Sequence, residues 1–155
     1  MATQAQTDRA IVYRDAAVEH VATAFQAYRD ARQVPANYFA GLSAECMLRA
    51  YRHMIDPEFD ARHDLDKLYQ LAKFADVVPP ERVPAFDSLL GTVIALWSNE
   101  HRFLSEAALR RKWKKMKLDR HIRGDFVKEW NRRLISAANE LVTLGAAQWK
   151  SSFKS

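Results

Sequence analysis

The chain has 155 residues, of which 48% are hydrophobic and 28% charged, and its formal net charge is +5. That length suits a single core, that composition excludes a largely disordered chain, and no apolar run approaches the roughly 20 residues a membrane helix needs. One cysteine, Cys46, excludes an internal disulfide and suits a reducing cytoplasm; the polar opening Met1 to Thr7 carries no apolar signal segment.

With 4 glycines, 5 prolines and no alternation of apolar and polar residues over a strand's length, the expected fold is all-α. We expect one domain over residues 1–155, an up-and-down bundle of five to six helices with 1–7 and 151–155 flexible. From about Asp8 to Gln33, Ile11, Val18, Val21, Phe25 and Tyr28 form one apolar stripe, ended by Val34-Pro35. From Tyr38 to Ile55, Phe39, Leu42, Cys46, Ala50 and Met54 recur at helical steps; Asp56-Pro57 stops this helix, and Asp64 can cap the next, which carries Leu68, Leu71, Ala72 and Ala75. A helix over about Pro84 to Phe103 has apolar residues in nearly all directions, which places it at the bundle centre, and Gly91 within it implies a close helix crossing. Ser105 can cap a fifth helix to about Leu118, and Asp125 a sixth from Phe126 to about Trp149 with Phe126, Trp130, Leu134, Ala137, Ala138, Leu141 and Leu144 on its stripe.

The hairpin of Tyr38-Phe39, Ala44 to Ala50 and His63-Asp64-Leu65 with Leu68, followed by Trp97 and Arg102-Phe103, resembles the HEPN domains, small helical bundles linked to nucleotides and RNA. The resemblance spans roughly Tyr38 to Phe103. It implies a helical bundle, a habit of dimerising, and an arginine, here Arg102, facing a cleft. Members that cut RNA commonly carry an arginine followed after four to six residues by a histidine near the start of a late helix. This chain departs from that pattern: no histidine lies beyond His121, and the one spacing that fits, Arg14 to His20, falls in the first helix. Binding rather than catalysis is therefore expected, a metal-independent ribonuclease with an atypical site being the minor alternative.

Charge points to partners. Between Glu106 and Arg123 eight basic residues face two acids, a local charge of +6, so the rest of the chain sums to −1. A patch that concentrates the whole excess is the footprint of a surface that meets polyanions. Candidate phosphate ligands are Arg102, Arg110, Arg111, Lys114, Lys115 and Lys117; His63, Asn99 and His101 are candidate pocket residues. RNA or a nucleotide is the expected partner, with docking on an acidic protein surface, as a module of a multi-protein complex, the alternative. Glycines isolated at 41, 91, 124 and 145 make no phosphate loop, and scattered histidines with one cysteine suggest no metal site. No cofactor, no catalytic residue and no membrane association are expected, and a homodimer is. Glu45 is expected to pair with Arg49 one turn on, and Cys46 to serve as a small buried hydrophobe.

Overall fold

Side-chain oxygens start several of the helices. In the computed structural model, which describes residues 2–56, 58, 62–65, 67–68 and 78–153, the Thr3 hydroxyl accepts from the Gln6 N–H while the Gln6 side chain accepts from Thr3, a reciprocal cap that opens α1, Gln4–Arg29. Ser105 accepts from the Ala108 N–H to open α4, Glu106–Lys115, and Asp125 from the Val127 and Lys128 N–H groups to open α5, Phe126–Ser152. Asp64 caps in the same way, accepting from Lys67 N at 2.9 Å. The caps at Ser105, Asp125 and Asp64 are the ones the sequence marks. The expected helix positions Leu71, Ala72 and Ala75 lie outside the described residues.

Two helix ends are closed by left-handed residues that are not glycine. Ala31, at φ 58°, ends α1: Arg32 N donates to Ala27 O at 2.8 Å and Ala31 N to Tyr28 O at 3.1 Å. Lys117, at φ 62°, ends α4 with the same pair of bonds, from Leu118 N to Trp113 O and from Lys117 N to Lys114 O. Because α1 stops at Ala31, Val34-Pro35 does not terminate it. Those residues lie instead in the first turn of α2, Gln33–Ile55, where a missing N–H costs nothing.

The bundle is all-α, and no strand occurs among the described residues. Its centre is α2, buried on nearly every side from Gln33 to His53, and not the later helix. That later helix, α3, Val83–Leu96, buries Phe86, Leu90, Val93 and Leu96 but leaves Ile94, Ala95 and Gly91 exposed, so it flanks the bundle. It also ends sooner than expected, giving way to Trp97-Ser98 and a 3-10 turn, Asn99–Phe103. On α1 the buried stripe is Ala10, Ala17, Val21, Ala24 and Ala27, while Val18 faces outward. This alanine face packs closely along α2, whose Ala36, Ala40, Ala44 and Ala50 are fully buried. Across the core Tyr51 donates to Gly145 O at 2.6 Å, and Trp149 packs edge-on against the Tyr51 ring. No helix among the described residues is long and apolar enough to cross a membrane.

Close approach falls at Gly41, not at Gly91. A Cβ on Gly41 would stand 2.0 Å from the Trp97 ring, whereas one on Gly91 meets nothing within 4 Å. Trp97 is held there by its indole N–H, which donates to Tyr38 O at 3.1 Å. Gly41→Ala should therefore destabilise by at least about 1 to 3 kcal/mol as Trp97 is displaced, while Gly91→Ala should stabilise by up to about 1 kcal/mol through helix propensity. Urea denaturation reads both, and effects of the same sign would show that Trp97 does not rest on Gly41. Leu68, fully buried, should cost about 2 to 5 kcal/mol when cut to alanine.

Candidate nucleic-acid interface

The basic helix α4 is fixed to the bundle at both ends and along one side. Leu109 and Trp113 are buried, Arg110 pairs with Asp125 at 3.1 Å and lies over the Phe126 ring, and the Trp130 indole N–H donates to Leu118 O at 2.6 Å. Lys112 turns inward. Its ammonium donates to His101 Nε2 at 2.7 Å, and His101 Nδ1 is 2.8 Å from Asn37 Oδ1.

From there a directed chain of hydrogen bonds crosses the core. Asn37 Nδ2 donates to Leu96 O and to Asn131 Oδ1, and Asn131 Nδ2 donates to the backbone and side-chain oxygens of Gln33. Because the Asn37 amide nitrogen is spent on acceptors, its oxygen must receive, so the His101 proton sits on Nδ1 and Nε2 accepts from Lys112. Burial first, and the Lys112 charge second, hold the His101 pKa down to about 4, which keeps it neutral. His101 is 2% exposed and, contrary to expectation, does not share a cleft with His63 and Asn99; it is the link that seats α4. Asn131 stands on α5 between buried Val127 and Leu134, and a polar residue on an apolar stripe is the signal that marks it in the sequence.

The opposite side of α4 presents Arg111, Lys114 and Lys115, which bound a shallow depression of about 300 Å³. Among the described residues none of these three, nor Lys117, makes an ion pair. Arg110 differs, being shared between Glu106 and Asp125, so it belongs to the seat of the helix and not to its open face. Arg102 is exposed just before the helix, its guanidinium 4.6 Å from the Phe103 ring centre.

His63 and Asn99 do come together, on opposite walls of a separate cleft of about 440 Å³. Arg62, His63, Asp64 and Leu65 form one wall, Ile94 and Trp97 to Glu100 the other. The His63 ring is anchored: Nδ1 lies 3.0 Å from the nearly buried Glu45 carboxylate, which also accepts from Arg49 Nε at 2.8 Å, and Arg49 Nη2 reaches the Arg62 carbonyl. The expected Glu45–Arg49 pair is present, and it carries the 62–65 segment against α2. The charged lining of this cleft is mixed, Asp64 and Glu100 against Arg62, so it differs from the wholly cationic face of α4. Cys46 is buried, its thiol pushed up to about 12, mainly by burial and secondarily by Glu45. No group of three or more histidine, cysteine or acidic side chains that could hold a metal ion occurs among the described residues.

The neutral, buried His101 makes stability depend on pH. An unfolded chain protonates this histidine near its ordinary 6.5, whereas the folded chain resists until about 4. Between those values the unfolded state binds the extra proton, so stability should fall as pH drops from 6.5 toward 4. His101→Ala should lower stability at pH 7 and reduce that slope, with His53 and His20, also held below their usual range chiefly by burial, supplying a remainder. Urea titrations at several pH values check this, and an unchanged slope in the variant would refute it.

Comparison of the chain with protein-family models, curated proteins and solved structures gave no match.

Proposed function

We propose that the protein is a helical binding module that holds RNA or a nucleotide by its phosphates, through the outer face of α4. One observation carries the reading: Arg111, Lys114, Lys115 and Lys117 stand exposed and without a carboxylate partner among the described residues. Elsewhere among the described residues Arg14, Arg49, Arg52, Arg132 and Arg133 each pair with an acid, and exposed cations without such a pair, among them Arg9, Arg82, Lys128 and Lys150, are spread over other elements, so the clustering is what sets α4 apart. Clustered unpaired cations repel one another and lower the stability of the isolated protein, and a polyanion that releases its counterions offsets that cost. The seat of α4 supports the same reading. With Lys112, Leu109 and Trp113 engaged inward and Arg110 held sideways by Asp125, the outer side chains start from a fixed backbone, and less order is lost on binding.

Arg102 extends the cationic surface to the turn before α4, and its planar fork suits a phosphate better than a lysine ammonium does. The role also agrees with what the HEPN resemblance implies, a bundle associated with nucleotides or RNA. An acidic protein surface is the competing partner, and the test below separates the two.

Changing Arg111, Lys114, Lys115 and Lys117 together to glutamine should abolish RNA binding and leave the helical circular dichroism spectrum unchanged. For four contacts on a single strand, the logarithm of the wild-type binding constant should fall with the logarithm of salt at a slope of about −3. Arg102→Ala separates a site that orients one phosphate from a diffuse surface, the former losing about 1.5 to 3 kcal/mol and the latter almost nothing. A wild-type protein with no affinity for RNA or ATP tighter than about 0.1 mM at physiological salt would remove the proposal and leave the acidic protein surface as the reading.

A further inference from the structure

Phe103 is the most exposed of the large hydrophobic side chains among the described residues, at 75%, and the only aromatic in that group. Its backbone is well fixed. It ends the 3-10 turn Asn99–Phe103, whose middle residue His101 is buried in the polar chain, and the following Leu104 N–H donates to His101 O at 3.0 Å. Two residues later Ser105 caps α4. The ring is thus an aromatic plate at the entrance to the cationic helix, exposed to water apart from the Arg102 guanidinium, which lies over the ring 4.6 Å from its centre and makes no ion pair among the described residues.

We infer that Phe103 is a stacking platform for an unpaired base, so that the ligand of the α4 face is single-stranded RNA; this rests on the phosphate-binding reading of that face. An aromatic plate beside a row of cations is the combination that binds single strands, because each base offers a π-face while the backbone follows the charge. A duplex hides its base faces inside the stack and meets the cations only through its phosphates. Arg102, next to the ring, then serves the phosphate that joins the stacked nucleotide to its neighbour. Since every base has a π-face, the site prefers single strands without preferring a sequence.

The test is fluorescence anisotropy with three probes: a mixed-sequence single-stranded RNA, the same sequence as a blunt duplex, and inorganic polyphosphate as competitor. Wild-type protein should prefer the single strand to the duplex. Phe103→Ala should weaken single-strand binding by about five-fold to a hundred-fold, and Phe103→Trp should retain it. Duplex and polyphosphate binding should be unchanged in both variants. The exposed ring makes few contacts whose loss would unfold the chain, and circular dichroism verifies this. Equal affinity of wild type for duplex and single strand, or unchanged single-strand binding in Phe103→Ala, overturns the stacking inference while the glutamine variant still judges the cationic face. No binding of any probe by wild type, or full binding by the glutamine variant, overturns the underlying reading itself.

Discussion

The arrangement of the molecule turns on one buried chain of hydrogen bonds, from Lys112 through His101, Asn37 and Asn131 to Gln33. It joins α4, the turn after α3, α2 and α5, elements separated by up to 98 residues in sequence. Both amide nitrogens in it, of Asn37 and of Asn131, donate to two acceptors, and the direction of each bond is set by the next member. Such a network fixes register among helices because any slip leaves a polar group unpaired in the core, at a cost of about 1 to 3 kcal/mol each. Apolar packing alone tolerates more sliding. Lys112 at its outer end is the reason the chain's basic helix has a defined inner and outer side.

Small residues set the distances that this network requires. Gly41 admits the Trp97 ring against α2, and a Cβ on Gly145 would stand 2.7 Å from the Met47 side chain. The alanines of α1 do the same along the other side of α2. Trp97 then ends α3, its indole tied to Tyr38 O, and the chain turns at once into the segment that carries His101, Arg102 and Phe103. Close packing in the core therefore determines where the exposed arginine and phenylalanine stand.

Charge is separated by the same geometry. Several acids are committed, Glu45 to Arg49 and His63, Glu129 to Arg132 and Arg133, Asp125 to Arg110 and to the start of α5. The densest group of cations without an ion pair among the described residues, Arg111, Lys114, Lys115 and Lys117, gathers on the outer face of α4 and the turn that ends it. The His63 cleft, lined by Arg62 as well as by Asp64 and Glu100, is mixed in charge, and its histidine serves to hold the 62–65 segment to α2 through Glu45.

Sequence alone determined the helical class, the caps at Ser105, Asp125 and Asp64, the Glu45–Arg49 pair and the location of the excess charge. All of these depend on residues within about four positions of each other, or on composition, and local spacing is visible in a sequence. The tertiary structure decided the rest. Left-handed Ala31 moved the boundary between α1 and α2, because its cap is made of backbone bonds that no glycine announces. The apolar residues of α3 suggested the bundle centre, yet α2, rich in small and polar residues, occupies it, since alanine and glycine allow neighbours on every side. Of eight basic residues around α4, spacing could not tell that Lys112 points inward and Arg110 sideways, because their partners, His101 and Asp125, come from other elements. Nor could it show Phe103 in water, for an aromatic residue is exposed or buried only according to what the folded chain brings against it.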